Sequence, residues 1–119
     1  MESKLLDTHQ LEPFIMIGIT DYLDLLNDVI RDVPGHLENI RNAIRDGNSR
    51  EFKNHAHTLR GMISHFGCIA MTTRLAQLEH HETVTPDQAA AVHAELQTIW
   101  EQSLAALKEW EKTAPGFAS

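Results

Sequence analysis

The sequence predicts an all-α protein, built as an antiparallel up-down four-helix bundle with a short additional N-terminal helix. Apolar residues recur at three- and four-residue spacing along most of the chain, which is the pattern of amphipathic helices. No segment alternates polar and apolar residues with period two, so no strand is expected. Short turn-forming sequences separate the helical stretches, and helices joined by short connections pack antiparallel.

The periodic segments predict five helices, over residues 11–17, 20–45, 50–66, 70–81 and 86–110. Proline at position 34 interrupts the long second helix, which we expect to kink rather than break. Gly47 suits a left-handed C-terminal cap and Asn48 or Ser49 suits the next N-cap, so the second and third helices form a tight hairpin. Gly67 is expected to end the third helix, and Thr85 to cap the fifth.

Composition indicates one globular domain over residues 1–119, with a core bundle at about 20–111 and loose termini at 1–10 and 113–119. The net charge of −7 disfavours nucleic acid and anionic membranes as partners, because both are bound chiefly through Lys and Arg. The single cysteine, Cys68, cannot form an internal disulfide and is expected to be buried without a redox role. The longest apolar run, 14–19, is much shorter than the roughly 20 residues of a membrane span. We therefore expect a cytoplasmic monomer, and Met1 favours a free-standing protein over a domain of a longer chain.

The third helix has two very different faces. One is an apolar stripe that predicts burial in the core: Phe52, Ala56, Leu59, Ile63 and Phe66. The other carries a set of residues that is unusual for a plain solvent face: Lys53, His57, Arg60, Gly61 and Ser64. A mid-helix glycine costs roughly 1 kcal/mol relative to alanine, so we expect a functional reason for Gly61.

This pattern resembles the signature of the histidine-containing phosphotransfer (HPt) domain of two-component phosphorelays, on the residues Ala56-His57-Thr58-Leu59-Arg60-Gly61, Gly67, Leu75 and Leu78-Glu79. The resemblance extends over roughly residues 20–110. It implies a four-helix bundle without kinase activity, which relays a phosphoryl group between receiver-domain aspartates through one exposed histidine. By match to the motif, that histidine is His57.

The chemistry of these side chains agrees with the resemblance. An imidazole has a reference pKa near 6.5, so it is partly unprotonated at neutral pH and can act as a nucleophile once exposed. Arg60 and Lys53 lie within helical reach to neutralise a phosphoryl group on His57. Gly61 leaves room for close approach of a partner, and Ser64 keeps the surface small and can donate a hydrogen bond.

The resemblance further implies that the partners are response-regulator receiver domains, a hybrid sensor histidine kinase, or both. No cofactor is expected on this chain, since Mg²⁺ belongs to the receiver. The family usually has lysine where Arg60 stands, and arginine keeps the charge with a different geometry. Partners are expected to dock on a patch around His57, made of the third helix, its N-terminal neighbour and the fourth helix near Arg74, and Met62 is expected to widen its apolar surface. Glu79, on the outward face of its helix, is a candidate for orienting the imidazole.

Two other functions stay open. A metal-binding bundle could draw on six histidines, His55, His57, His65, His80, His81 and His93. However, neither a Glu-x-x-His pair nor histidines at i and i+4 occur, and these are the usual helical metal-ligand spacings. A receiver-binding scaffold without phosphotransfer would keep the fold, but such proteins typically lack the histidine. His55 is interpreted as half-buried and structural, and His65 as a rim contact or a solvated side chain.

Overall fold

The computed structural model describes residues 5–81 and 83–114. Within these residues it has five α-helices and no strand: α1 Glu12–Ile17, α2 Ile19–Arg45, α3 Ser49–Ser64, α4 Ile69–His80 and α5 Ala89–Thr113. Two 3-10 turns, Thr8–Leu11 and Pro86–Gln88, precede α1 and α5. Helix α2 packs against α3 and α5, and α4 packs against α3 and α5. The predicted all-α four-helix bundle with a short additional N-terminal helix is confirmed.

The hairpin between α2 and α3 forms as predicted. Helix α2 runs through Pro34 as one continuous helix. Gly47 adopts a left-handed conformation with φ of 70°, and its N–H donates to the carbonyl of Ile44 at 3.0 Å. The Asn48 side chain accepts a hydrogen bond from the Glu51 N–H at 3.1 Å, which makes Asn48 the N-cap of α3. The start of α3 is therefore set by local sequence.

Helix α3 ends at Ser64, two residues earlier than predicted. The N–H groups of Phe66 and Gly67 donate to carbonyls three residues back, at 3.1 and 3.2 Å, so the chain tightens into a turn. Gly67 has φ of 64°, the left-handed conformation expected of a helix-ending glycine. The turn directs Phe66 into the core, where it is almost fully buried.

The expectation of a loose N-terminal segment is wrong for residues 5–10. The Asp7 N–H donates to the Gly67 carbonyl at 2.7 Å, and the Leu5 carbonyl accepts from the Ala70 N–H at 3.3 Å. Leu6 is buried in the core. We call residues 5–7 the N-terminal strap. Its backbone groups form hydrogen bonds with backbone groups of the α3–α4 turn that have no partner within a helix, and these bonds hold the strap in place. Residues 1–4 of the expected loose segment lie outside the described residues.

The C-terminal end of the bundle also extends further than predicted. Helix α5 continues to Thr113, and the Ala114 N–H donates to the Trp110 carbonyl at 3.0 Å. Ala114 is buried, so the expectation of a loose terminus is wrong at these two residues. The rest of that expectation, residues 115–119, lies outside the described part of the chain.

An aromatic cluster closes the end of the bundle where α1, α2 and α5 meet. Phe14 stacks on Phe66 with ring centroids 5.3 Å apart, and Tyr22 packs edge-on against Phe14 at 5.1 Å. Trp110 of α5 lies 5.6 Å from Tyr22. The Tyr22 hydroxyl donates a hydrogen bond to Oε2 of Glu111 at 2.9 Å, which satisfies the polar end of a fully buried ring.

Ionisation of Tyr22 should therefore be coupled to unfolding. Burial, followed by the hydrogen bond to Glu111, raises the pKa of the phenol well above its usual value of about 10. The stabilisation from neutral Tyr22 is complete below about pH 10 and decreases as the pH rises above it, because the unfolded chain then releases this proton first. Tyr22 is the only tyrosine, so phenolate absorbance reports on it alone. We expect that absorbance to rise together with loss of helical circular dichroism; phenolate formation in the folded protein near pH 10 would contradict this.

Cys68 is buried at the start of α4, and burial raises the pKa of its thiol to about 12. Because the thiolate is the reactive form, a thiol with this pKa is unreactive at neutral pH. No helix in the described part of the chain has both the length and the apolar character that crossing a membrane requires.

Candidate functional site

The site is centred on His57, near the middle of α3. Ala56 and Leu59 on either side are fully buried, and they fix the rotation of α3 about its axis. The His57 side chain consequently points away from the core and is 68% exposed. An imidazole in this position is accessible to a second protein.

Glu79 of α4 contacts the ring of His57. Its Oε1 lies 3.1 Å from Nδ1 of His57, and the Glu79 side chain is only 11% exposed. The expectation that Glu79 faces outward is therefore wrong. In an ideal helix Glu79 is only about 40° from Leu75, whose side chain is fully buried, so the register of α4 turns Glu79 toward α3. A signal for the inward direction of Glu79 was therefore present in the sequence, in its closeness to Leu75 on the apolar stripe of α4.

Arg60 completes a three-residue cluster. Its Nη2 lies 3.0 Å from Oε2 of Glu79 and 3.1 Å from Nδ1 of His57. Oε2 is enclosed by protein, but no donor is aligned with it, so the contact with Arg60 is an ion pair rather than a directed hydrogen bond. Arg60 is 31% exposed, and its guanidinium lies at the Nδ1 edge of the ring.

Two contacts at Nδ1, with Glu79 and with Arg60, bear on which ring nitrogen carries the proton. Nδ1 can form one in-plane hydrogen bond, either as a donor to Glu79 or as an acceptor from Arg60. The Glu79 carboxylate only accepts hydrogen bonds, so Oε1 is satisfied when Nδ1 donates to it, and Arg60 keeps its ion pair with Oε2 in either tautomer. On this geometry we assign the proton to Nδ1. The lone pair of the neutral ring is then on Nε2, the atom farthest from the backbone.

The other predicted site residues surround His57 on the same helix. Lys53 is exposed one turn before it and forms no ion pair with any described residue. Gly61 is exposed one turn after it, and a Cβ built there would meet nothing within 4 Å. The Ser64 hydroxyl donates to the carbonyl of Gly61 at 2.9 Å, so its proton is already engaged within α3.

One of the other histidines, His80, shares the Glu79 carboxylate with His57. His55 is half-buried, as predicted, and His65 is exposed at the end of α3. His80 follows Glu79 and places Nε2 3.5 Å from Oε2 of Glu79. Among the described residues, no group of three or more His, Cys, Asp or Glu side chains is arranged to hold a metal ion. The metal-binding alternative therefore has no supporting cluster in this part of the chain.

Comparison with known proteins supplies the family. A family model described as Hpt domain matches residues 24–110, which span α2 to α5. Comparisons with curated proteins and with solved structures gave no match. Hpt domains are phosphocarriers of two-component signalling rather than kinases, and they interact with response-regulator receiver domains and histidine kinases. Because the match covers well over half of the 119 residues and includes the bundle that displays His57, the chain belongs to the Hpt domain family.

Proposed function

We propose that this protein is a relay intermediate, which takes a phosphoryl group from one receiver-domain aspartate onto Nε2 of His57 and passes it to another. The observation that carries the proposal is the contact between Glu79 and Nδ1, at 3.1 Å, beneath an imidazole that is otherwise exposed. With the proton assigned to Nδ1, the nucleophilic lone pair is on Nε2, the ring atom farthest from the backbone. We place this relay in the cytoplasm, where receiver domains act.

The transfer step balances without a proton leaving the ring. The Nε2 lone pair forms a bond to phosphorus as the bond from phosphorus to the aspartyl oxygen breaks, and the aspartate departs as a carboxylate. The ring becomes a phosphoimidazolium that keeps its proton on Nδ1. Glu79 is then 3.1 Å from a positive charge, which its carboxylate stabilises. The reverse of this step delivers the phosphoryl group to the next receiver.

The rest of the predicted site has supporting roles in this proposal. Lys53 has no competing ion pair among the described residues, so it is the cation available to the phosphoryl oxygens. Arg60 lies against Glu79 and Nδ1 of His57, and in the resting protein it keeps the carboxylate in place. Mg²⁺ would be held by the receiver. In-line phosphoryl transfer depends chiefly on positioning and charge neutralisation, which the two proteins together supply.

Phosphotransfer to the native protein and to His57→Gln tests the proposal. A purified receiver domain, phosphorylated on its aspartate, is mixed with each protein, and the product is treated with acid and with alkali. We expect label on the native protein that is lost in acid and survives alkali, and none on His57→Gln. Both proteins should have the same thermal stability, because the His57 side chain is mostly exposed. Equal labelling of the two proteins would show that a residue other than His57 accepts the phosphoryl group. A native protein that binds phosphorylated receivers without accepting label would support the scaffold alternative.

Gly61→Ala should separate stability from phosphotransfer. Alanine in the helix interior raises the free energy of unfolding by up to about 1 kcal/mol, since its methyl group meets no neighbour. The same methyl group stands beside His57, where the receiver must approach closely, so we expect transfer from a receiver to decrease about tenfold, or about 1.4 kcal/mol in the barrier. Gly35→Ala is the matched control, because Gly35 is also helical and equally open. Unchanged transfer in Gly61→Ala would show that the glycine is not needed for close approach.

A further inference from the structure

An apolar groove opens between α1, α2 and α3. It has a volume of about 620 Å³ and is lined mainly by Pro13, Ile17, Leu25, Val29, Met62 and Phe66. We call this the α1–α2–α3 groove. Ile17 is 52% exposed and Leu25 is 47% exposed, while the neighbouring Met16 is 89% exposed. Large apolar side chains exposed side by side are characteristic of a protein-binding surface.

The groove adjoins the face of α3 that carries His57. Ser64 and His65 line its edge, and Ser64 is two helical turns, or about 10 Å, along α3 from His57. A typical protein interface covers about 800 Å² on each partner, which corresponds to a disc of radius about 16 Å. A receiver centred on His57 would therefore also cover part of the groove.

A row of carboxylates on α2 meets the groove at Asp28. Asp28 contributes to the groove wall, and Asp21, Asp24 and Asp32 are placed on the same flank of α2 by spacings of three and four residues. All four are exposed. Arg31 pairs with Asp28 at 3.2 Å and with Asp32 at 3.4 Å, but the described residues offer no ion pair to Asp21 or Asp24. We call these four aspartates the acidic rim, and its net charge is negative.

From this arrangement we infer that the α1–α2–α3 groove and its acidic rim select receivers whose docking face is an apolar helix surface flanked by Lys or Arg. The inference rests on the proposed function and adds the chemistry of the partner. The groove removes the apolar side chains of the receiver from water, which supplies affinity. The rim attracts flanking cations and opposes an acidic receiver, so it supplies discrimination and a faster encounter.

Two pairs of variants test the inference with a panel of purified receiver domains whose docking faces range from basic to acidic. Asp24→Asn combined with Asp28→Asn neutralises the rim, and its matched control is Glu101→Gln combined with Glu109→Gln on α5. Leu25→Ala shortens the groove wall, and its control is Ile30→Ala, which is also partly exposed on α2 but does not line the groove. The readout is kcat/KM for phosphotransfer at low and at high salt.

We expect the rim variant to lower kcat/KM about tenfold with basic receivers at low salt, and to have little effect with acidic ones. With basic receivers, the rim variant and the native protein should have the same kcat/KM at about 1 M salt, where the Debye length falls to about 3 Å. Leu25→Ala should lower kcat/KM about tenfold with every receiver at both salt concentrations, as expected for loss of a buried apolar contact. The control variants should match the native protein.

Labelling with phosphoramidate, a small phosphoryl donor that needs no docking surface, distinguishes failure of this inference from failure of the proposed function. If phosphoramidate labels His57 but the rim and groove variants behave like their controls, the inference is wrong and the phosphoacceptor role stands. Label from phosphoramidate with no transfer from any receiver would also reject the inference. If neither phosphoramidate nor any receiver labels the native protein, the proposed function itself fails.

Discussion

Gly67→Ala is expected to lower the free energy of unfolding by about 3 kcal/mol. Gly67 has φ of 64°, a conformation that costs an L-residue with a Cβ about 1 to 2 kcal/mol. In addition, a Cβ at this position would lie 2.3 Å from the backbone carbonyl oxygen of Asp7. Since a backbone atom cannot rotate away, the N-terminal strap must move, with loss of its hydrogen bonds to Gly67 and Ala70 and of the burial of Leu6. Chemical denaturation with circular dichroism measures the effect.

Gly47→Ala is the matched control for this prediction. Gly47 has nearly the same φ, 70°, but a Cβ there would meet only Pro86, at 3.9 Å. It should therefore show the conformational cost of about 1 to 2 kcal/mol alone. Equal destabilisation by the two substitutions would mean that the strap contributes nothing to stability. A larger loss at Gly67 measures the contribution of the strap.

Glu79→Gln should lower the rate of phosphotransfer to His57 about tenfold, an effect at the lower end of those seen when a residue that orients a metal-binding histidine is changed. Glutamine has a similar size and can still accept a hydrogen bond from Nδ1, but it does not carry the negative charge that favours a proton there. A free neutral imidazole carries its proton mainly on Nε2, so loss of the carboxylate protonates the proposed nucleophile in more of the molecules. Arg60 also loses its ion-pair partner at 3.0 Å.

Nitrogen NMR of His57 tests this prediction separately from stability. We expect Glu79→Gln to shift the neutral ring toward the tautomer with a proton on Nε2, while helical circular dichroism stays native. Glu95→Gln is the control, because it breaks a similar ion pair, with Arg74 at 2.9 Å, between α4 and α5. A loss of transfer without a change of tautomer would contradict a positioning role for Glu79. Full transfer activity in Glu79→Gln would exclude that role.

The site divides its functions between exposed and enclosed groups. His57, Lys53 and Gly61 are exposed on α3, whereas Glu79 is held between α3 and α4. Exposed residues can be replaced with little change in stability, because they have few contacts to lose. The three α3 residues can therefore be tested one at a time in a folded protein.

The contact between Arg74 and Glu95 also revises the expected docking patch. The sequence-based expectation placed the part of α4 near Arg74 beside His57. In the structure the Arg74 side chain is directed to α5, and Glu79 is the α4 residue that reaches His57. The docking patch that we propose accordingly lies on α3, α1 and the adjoining face of α2.

The sequence by itself determined the features that depend on local spacing. The apolar period predicted which face of α3 is buried, and thereby that His57 points to solvent. Gly47 and Asn48 predicted the hairpin turn, and the hexapeptide from Ala56 to Gly61 predicted the family. These predictions succeeded because helix periodicity and capping depend on residues within a few positions of one another.

Only the tertiary structure decided the contacts between distant segments. The sequence raised Glu79 as a candidate for orienting His57, but the rotation of α4 against α3 decided that its carboxylate reaches Nδ1, across 22 positions of sequence. The same holds for the N-terminal strap, where backbone groups of Leu5 and Asp7 pair with the α3–α4 turn, far along the chain. The α1–α2–α3 groove likewise exists only where three helices meet. Such contacts depend on how whole helices pack, and that packing is determined by side chains throughout the core rather than by any one segment.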